Sequence, residues 1–206
     1  MELKKVLVAS SNPKKVKEIE EIVRPLGIEV FIPPQKLEVK EWANTFIGNA
    51  YLKAKAYYER FKIPALADDS GLIVDALFPY PGVYSSRFYQ LEVFGKEEPL
   101  PSEDEANIRK LLKVLKGQKN RSARFVSTIV LYLEEGKMLS AEGEVKGYIT
   151  DTPKGDGGFG YDPIFVPEGY SKTFAQMTSE EKHKISHRGK ALRNLYKLLE
   201  NLKCSR

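Results

Sequence analysis

Several residue types are scarce in this sequence, and each shortage excludes a class of protein. The 206 residues include one cysteine, Cys204, so an internal disulfide framework and a cysteine-based zinc site are both excluded. No apolar run approaches the roughly 18 residues that a membrane-spanning helix needs. The start of the chain, MELKKVLVAS, lacks the apolar core of a signal peptide. We therefore predict a cytoplasmic protein with no membrane segment.

Two common nucleotide-binding motifs are absent or out of place. The chain has no G-x-x-x-x-G-K-[ST] phosphate loop. The stretch GDGGFGYDP at 155–163 matches G-x-G-x-x-G, but a dinucleotide fingerprint needs a long helix directly after it, which Pro163 and Pro167 disfavour. We predict instead a loop that folds closely around a ligand. In such a loop Phe159 would stack on a flat ring and Asp162 would accept from a base edge.

The charge balance is basic and uneven. Lysine and arginine number 33 against 28 acidic residues, which gives a net charge of +5. From residue 182 to residue 206 there are eight such cations and one acid, Glu200. A basic surface favours an anionic partner without identifying it. Three alternatives stay open: a nucleic-acid surface, a phosphate site and an ordinary solvated face.

Apolar periodicity predicts an α/β fold in which helices and strands alternate. KKVLVASS predicts a buried strand, and the following helix has Asn12 as N-cap and Pro13 at its first position. SEDEANIRKLLKVLKG predicts another helix, with a capping box of Ser102 and Glu105. SARFVSTIVLYLEEGKMLSAEGEVKGYI predicts a hairpin of two long strands, which makes the sheet mixed.

Two further segments carry expectations about which side chains face the core. TFIGNAYLKAKAYYERF predicts a helix with an inward apolar stripe. The stripe comprises Ile47, Ala50, Tyr51, Ala54, Tyr58 and Phe61. PALADDSGLIVDAL predicts a strand, a polar turn and a second strand, because Asp and Ser before Gly71 are typical turn residues.

The acidic pair Asp68 and Asp69 ends the first of these predicted strands. Successive strand residues point to opposite faces, so we expect only one of the two carboxylates to face a given cleft. With Glu41 from another loop, that carboxylate would suit Mg²⁺, which takes few carboxylates beside water and phosphate oxygens. It would also serve as a general base toward water. The alternative is a plain turn with no chemistry.

Cations stand at the starts of two predicted helices, where the helix dipole disfavours them. Lys14 and Lys15 follow SSN at the first helix, and His187 and Arg188 follow Ser186 at the last one. A bound anion would remove the misfit, because free backbone N–H groups and the cations would hold it together. The alternatives are a capped helix with surface lysines and a solvated basic face.

Six stretches follow one another between residues 10 and 192: SSNPKKVKEI, ANTFIGNAYLKAK, LADDSGLIVDAL, PGVYSSRF, PKGDGGFGYDPIF and EEKHKISHRGKAL. Together they resemble the inosine triphosphate pyrophosphatase family, whose members are also called dITP/XTP pyrophosphatases. The resemblance implies an elongated, mixed, twisted β-sheet flanked by helices. It also implies that residues 1–206 form a single domain with two lobes around a central cleft, and that the protein is a homodimer.

The family hydrolyses ITP, dITP and XTP between the α- and β-phosphates with Mg²⁺, and so removes deaminated purines from the nucleotide pool. The resemblance implies that Glu41 and Asp69 bind the metal and that Asp69 activates water. Glu41 is preferred to Glu38 because it lies four residues before Thr45, as in the family's pattern. The resemblance and its motifs place substrate contacts on Ser10, Ser11, Asn12, Pro13, Lys14, Lys15, Lys53, Ser70, Phe159, Gly160, Tyr161, Asp162, Lys182, His187 and Arg188.

Base preference follows from the placement of donors. A donor such as Arg188 satisfies the 6-oxo group of hypoxanthine or xanthine, whereas the 6-amino group of adenine would leave that donor unpaired at a cost of about 1–3 kcal/mol. Two rival functions stay open. One is a related nucleotide pyrophosphatase with another base preference. The other is a basic nucleic-acid-binding protein, although the basic tail lacks the interleaved aromatics of stacking surfaces.

Overall fold

The computed structural model describes residues 3–204, and side chains up to residue 201. Its strands are β1 (Lys5–Val8), β2 (Glu29–Phe31), β3 (Ala65–Val74), β4 (Ser122–Glu134), β5 (Lys137–Ile149) and β6 (Phe165–Pro167). They form one sheet in the order β2-β1-β3-β4-β5-β6. β1 pairs in parallel with β2 and β3, while β5 and β6 are antiparallel, so the predicted mixed sheet is confirmed.

The α-helices in this part of the chain are α1 (Pro13–Val23), α2 (Phe46–Phe61), α3 (Glu103–Val114), α4 (Ser179–Ile185) and α5 (His187–Cys204). Asn12 caps α1 as predicted, because its side-chain oxygen accepts from the backbone N–H groups of Lys14 and Lys15. Ser102 caps α3 in the same way through Glu105 N–H. Within the described residues, none of these helices is both long enough and apolar enough to cross a membrane.

The chain divides into two compact units. Unit 1 comprises Met1–Asp69, Ser127–Glu144 and Ser186–Arg206, and unit 2 comprises Ser70–Val126 and Val145–Ile185. The three strands β3, β4 and β5 contribute residues to both units. Each unit has its own buried apolar residues and is described by itself below.

In unit 1 the strands supply apolar side chains to two clusters, because successive strand residues point to opposite faces. The cluster under α1 and α5 contains Val6, Val8, Val16, Ile19, Val23, Leu66, Ile129, Leu131, Leu133, Ala191, Leu192, Leu195 and Leu199. The cluster under α2 contains Leu7, Ala9, Ala50, Ala54, Tyr57, Ala65, Ala67, Val130 and Tyr132. Even-numbered side chains of β3 in this unit therefore face α1 and α5, and odd-numbered ones face α2.

Unit 2 is built around a cluster in which α3 packs on those parts of β3, β4 and β5 that belong to this unit. Its buried members are Leu72, Val74, Leu77, Phe88, Ile108, Leu111, Leu115, Ala123, Phe125, Val145, Ile149, Tyr161, Ile164, Phe165, Phe174 and Met177. The rings of Phe125 and Phe165 meet edge to face at a centroid distance of 4.7 Å. This packing fixes the start of α3 and the glycine loop within one unit.

Two local expectations are wrong. The predicted turn at Asp68 and Asp69 does not exist, because β3 runs unbroken over ten residues and buries both aspartates. Turn propensity is overridden here because cations inside the fold pair with the carboxylates. The predicted stripe of α2 is wrong at Ile47, which is 43% exposed, while the other five residues lie in or against the core cluster. Asn49 and Tyr57, which were not predicted, are also buried. Asn49 turns inward because its side-chain amide pairs with both backbone groups of Ala43.

Candidate active site

Asp68 lies on the face of β3 that packs under α1 and α5. Its Oδ2 atom is 3.0 Å from Lys15 Nζ and 3.2 Å from Arg188 Nη2, and its Oδ1 atom accepts from the Ser127 hydroxyl. Burial alone would raise the pKa of Asp68, but the two cations and the hydroxyl hold that pKa well below its usual range. Arg188 also pairs with Glu18 on α1. Asp68 is therefore the centre of a buried ionic network that ties α1 to α5.

This network changes the interpretation of the cations at the helix starts. Lys15 and Arg188 each have a carboxylate partner inside the protein, so no bound phosphate is needed to explain them. The alternative of a solvated basic face is wrong for His187 and Arg188, which are both buried. Ser186 is confirmed as the cap of α5, because its hydroxyl accepts from Gly189 N–H.

Asp69 lies on the opposite face of β3, toward α2, as the alternation of strand residues predicts. Lys53 Nζ on α2 is 3.3 Å from Asp69 Oδ1, 3.3 Å from Glu41 Oε1 and 3.0 Å from the Asp68 carbonyl oxygen. Burial lowers the pKa of Lys53, but Asp69 and Glu41 more than offset this, so the pKa is raised. For Asp69, burial outweighs the nearby lysines and raises the pKa of the carboxyl.

The second oxygen of Asp69 points to a ligand. Asp69 Oδ2 is buried and has no hydrogen-bond partner in the described part of the protein. Leaving a buried polar atom unsatisfied costs about 1–3 kcal/mol, which suggests that another group binds there. Through Oδ1 of Asp69 and Oε1 of Glu41, the two carboxylates share the ammonium group of Lys53.

The donor set fits Mg²⁺ better than a metal held in a protein cage. Among residues 3–204 no cluster of three or more His, Cys, Asp or Glu side chains is close enough to enclose an ion. Mg²⁺ uses one or two carboxylates and fills its other positions with water and phosphate oxygens. Glu41 was preferred to Glu38 from the sequence, and it is Glu41 that lies beside Lys53.

The start of α1 lies at the end of β1 and presents polar groups. The Ser10 hydroxyl accepts from Asn12 N–H at 3.2 Å, and Ser11, Pro13 and Lys14 are exposed. Ser10, Ser11 and Pro13 also line a cavity of about 290 Å³ in unit 1. A separate exposed side chain, Trp42, directly follows Glu41 and is 77% accessible to solvent.

In unit 2 the predicted base-binding residues come together in the glycine loop, residues 155–163. Asp162 Oδ2 accepts from Phe159 N–H at 3.0 Å and from Lys182 Nζ at 2.6 Å. The ammonium group of Lys182 also lies 4.9 Å from the centre of the Phe159 ring, a distance typical of a cation–π contact. Asp162 therefore fixes two groups next to the Phe159 ring: the backbone N–H of Phe159 and the ammonium group of Lys182. Ser70, the remaining predicted contact in this unit, is half-buried on β3.

The loop glycines allow close approaches within the protein itself. Gly158 has φ +69°, and a Cβ atom there would lie 2.0 Å from Asp162 Oδ2. Gly155 has φ +88°, and its Cβ atom would lie 2.6 Å from the backbone of Ala175. Gly155 and Gly158 are thus required for close packing against the loop's own carboxylate and Ala175, and the predicted binding of a ligand by the loop stays a prediction. Only a short 3-10 turn, Asp162–Ile164, precedes β6, so the rejection of a dinucleotide fingerprint is confirmed.

Sequence analysis missed three residues that organise these groups. Glu18 and Ser127 hold the network around Arg188 and Asp68. Asp104 on α3 accepts from Gly160 N–H at 2.9 Å. Asp104 lies 56 positions from Gly160 in the sequence, so no local pattern links the two residues.

The comparisons with known proteins agree with this architecture. The Ham1 family model matches residues 6–198. The chain is 61% identical over 197 residues to a dITP/XTP pyrophosphatase of Aquifex aeolicus, covering 96% of this chain and 97% of that protein. It is 42% identical over 203 residues to a dITP/XTP pyrophosphatase of Bacillus subtilis, covering 96% and 98%.

Solved structures give the same result. The Ham1 proteins of Staphylococcus aureus and Coxiella burnetii match with TM-scores of 0.81 and 0.80, each at 36% identity over 96% of this chain. The matches cover 99% and 98% of those chains. The fold and site thus define an α/β protein with a buried carboxylate–lysine group on its sheet. The chain belongs to the Ham1 family, which confirms the resemblance found in the sequence.

Proposed function

We propose that the protein hydrolyses the deaminated purine nucleoside triphosphates ITP, dITP and XTP to the nucleoside monophosphate and pyrophosphate. The observation that carries the proposal is the group of Asp69, Lys53 and Glu41, in which a buried Asp69 oxygen has no hydrogen-bond partner among the described residues. The choice of substrate is supported by relatives named dITP/XTP pyrophosphatase at up to 61% identity. Such an enzyme would remove deaminated purines from the nucleotide pool.

Mg²⁺ is part of this proposal, and Glu41 and Asp69 are the residues that would bind it. When bound, the ion would neutralise phosphate charge and lower the pKa of a water molecule. Lys53 adds a fixed positive charge beside the two carboxylates, and its raised pKa keeps it protonated at neutral pH. The start of α1, from Ser10 to Lys14, would supply N–H groups to the phosphates.

Asp69 is the proposed general base. Burial raises the pKa of its carboxyl, which makes the carboxylate a better proton acceptor than an exposed aspartate. Asp69 would take a proton from water as the water oxygen bonds to phosphorus. The bond between the α- and β-phosphates then breaks, and pyrophosphate leaves with the bonding electrons.

The Phe159 group of unit 2 is the proposed base-binding element. Its ring would stack on the purine, with Gly160, Tyr161, Asp162 and Lys182 holding it in place. His187 and Arg188 stay proposed contacts that close on the substrate. The guanidinium of Arg188 is already fixed by Asp68 and Glu18, and such preorganisation lowers the entropic cost of selecting a base.

The burial of two cations weighs against the nucleic-acid-binding alternative. Lys182 and Arg188 are buried and paired with carboxylates, so two cations of the basic tail are withdrawn from any surface that could bind a polyanion. Homodimer formation stays a proposal that rests on the family resemblance, and a cytoplasmic location stays one that rests on the sequence. Light scattering of the purified protein tests the first of them.

The test of the function is a panel of triphosphates assayed for pyrophosphate release. We expect kcat/KM for ITP and XTP to exceed that for ATP by about 10- to 100-fold, because a donor placed for the 6-oxo group makes no hydrogen bond to the 6-amino group of adenine. Modified pyrimidine triphosphates serve as the second comparison. Equal turnover of ITP and ATP would contradict the proposed specificity, and salt-sensitive RNA binding without triphosphate turnover would favour the alternative.

A further inference from the structure

Helix α3 contacts the glycine loop through Asp104. The Oδ2 atom of Asp104 accepts a hydrogen bond from Gly160 N–H at 2.9 Å, and the side chain is partly buried. The neighbouring amide, Phe159 N–H, donates to Asp162 Oδ2 at 3.0 Å. Two consecutive loop amides are thus held by two carboxylates. One carboxylate belongs to the loop and the other to a helix 56 positions away.

The peptide that Asp104 holds is one that would otherwise rotate easily. Gly160 has φ +59°, and nothing lies within 4 Å of the position a Cβ atom would take. Glycine crosses between backbone conformations at little steric cost. The hydrogen bond from Gly160 N–H therefore replaces a steric restraint that the side chain of another residue would supply.

Helix α3 is itself firmly attached, so the Asp104 carboxylate has a defined position. Asn107 accepts from Tyr89 N–H at 2.8 Å and donates to the Ser86 carbonyl oxygen at 3.1 Å. Lys110 is fully buried and donates to the carbonyl oxygens of Phe88 and Leu91 at 2.8 and 2.6 Å. Ile108, Leu111 and Leu115 pack in the core of unit 2.

On the other side of the glycine, Tyr161 is anchored as well. Its ring is buried and its hydroxyl donates to the Ser85 carbonyl oxygen at 2.8 Å. The segment 159–162 therefore has fixed points at Phe159 N–H, Tyr161 and Asp162, and Asp104 fixes the flexible residue between them. A net change of the backbone torsions at Gly160 would redirect the preceding residue and shift the Phe159 ring relative to Lys182, which lies 4.9 Å from its centre.

We propose that Asp104 is a positioning residue for base recognition, which acts by holding Gly160 N–H so that the Phe159 ring is preorganised to stack on the purine. The proposal rests on the proposed function. When the ring is already held in place, less conformational entropy is lost as the substrate binds. Loss of Asp104 should therefore weaken substrate binding more than it slows the chemical step at Asp69.

The experiment compares Asp104→Ala with Asp104→Asn, which keeps a side-chain oxygen able to accept from Gly160 N–H. Glu105→Ala is the matched control, because Glu105 is exposed and carries the same charge in the same helical turn. Two quantities are measured: hydrogen exchange at the Gly160 amide in the substrate-free protein, and KM and kcat for ITP.

For Asp104→Ala we expect about tenfold faster exchange and about tenfold higher KM, with kcat within about twofold of the wild type. Asp104→Asn and Glu105→Ala should stay close to the wild type in both measurements. Unchanged exchange in Asp104→Ala, a fall in kcat at constant KM, or an equal effect of Glu105→Ala would each overturn the proposal. If Asp104→Ala does not fold, Asp104→Glu replaces it, because the longer side chain moves the acceptor while keeping the charge.

The two measurements separate the failure of this proposal from that of the proposed function. A wild-type protein that does not hydrolyse ITP overturns both. An active wild type whose Gly160 amide exchanges at the same rate with and without Asp104 overturns the role of Asp104 alone.

Discussion

Asp68 and Asp69 are neighbours in β3, but their side chains have opposite surroundings. Asp68 is bonded to Lys15, Arg188 and Ser127, and its pKa is held below its usual range. Asp69 has one oxygen paired with Lys53 and one oxygen with no partner, and burial raises the pKa of its carboxyl. The first aspartate stabilises the fold, and the second is available for chemistry.

Replacing Asp69 by asparagine should abolish turnover without unfolding the protein. We expect Asp69→Asn to lower kcat for ITP by about 10² or more, as the loss of a general base does. The free energy of unfolding should change by about 1 kcal/mol or less, because Lys53 keeps Glu41 and the Asp68 carbonyl as partners. Urea titration and pyrophosphate release measure the two effects. Asp151→Asn is the control, at a side chain that is 89% exposed. Retained activity in Asp69→Asn would remove Asp69 from the catalytic role.

Replacing Asp68 should have the opposite result. Asp68→Asn leaves Lys15 without this carboxylate and weakens the hold on Arg188, so we expect the free energy of unfolding to fall by about 3–5 kcal/mol. Because the pKa of Asp68 is depressed in the fold, its stabilisation is present above the unfolded-state value of about 4 and is lost as pH falls below it. Urea titrations at pH 7 and in acid check both statements. A variant as stable as the wild type at pH 7 would contradict the role given to this network.

Sequence analysis predicted residues whose partners are near in the chain and failed for residues with distant partners. The caps Asn12 and Ser102 bond within three positions, so a local pattern reveals them. Asp68 and Arg188 are 120 positions apart, and nothing local distinguishes a buried ion pair from two surface charges. The sequence therefore did not reveal that Lys15 and Arg188 pair with buried carboxylates.

Among the secondary-structure elements, the start of α5 is set by its close approach to β5 at Gly143. A Cβ atom on Gly143 would lie 2.1 Å from the His187 carbonyl oxygen and 2.4 Å from Ala191 N. The first turn of α5 carries Arg188, so the absence of a side chain at Gly143 helps to place the guanidinium near Asp68.

Gly143→Ala should therefore displace the start of α5. We expect a loss of about 1–3 kcal/mol in the free energy of unfolding, the usual effect of overpacking, together with reduced ITP turnover. Thermal unfolding and the pyrophosphate assay measure these effects. Ser140→Ala, on the same strand, is the control and should leave both unchanged. A stable and fully active Gly143→Ala protein would show that α5 tolerates the shift.

The β4–β5 hairpin was predicted correctly, whereas β3 was predicted as two strands, and the difference has a physical reason. The hairpin of β4 and β5 was found because two long stretches that favour strands flank the short polar turn between them. β3 was split in error because its aspartates resemble turn residues, and the cations that allow them inside a strand come from α1, α2 and α5. A glycine inside a strand pattern indicates close backbone approach. Gly143 fits this pattern, but the sequence analysis did not interpret it.

For the whole molecule, the fold class and the family were predictable because both depend on patterns spread over most of the chain. The division into two compact units is built from discontinuous segments, so their boundaries could not be predicted from composition. Lys53 pairs with both proposed metal carboxylates, so a protein group offsets their charge. Folding should therefore not depend on Mg²⁺.

Chelation separates activity from folding. We expect EDTA to abolish ITP hydrolysis and added Mg²⁺ to restore it, because the carboxylates and the triphosphate are all anionic and the cation would neutralise the charge between them. The far-ultraviolet circular dichroism spectrum should be the same with and without the chelator. Full turnover in EDTA would contradict the metal proposal, and loss of the spectrum would assign the ion a structural role.

Trp42 gives the protein an optical property of practical use. It is the only tryptophan in the chain, it directly follows Glu41, and it is 77% exposed. Light absorbed by indole but not by the tyrosines excites one position, so the emission spectrum reports a single neighbourhood. Binding of an ion or a nucleotide beside Glu41 can thus be followed by the fluorescence of the unlabelled wild-type protein.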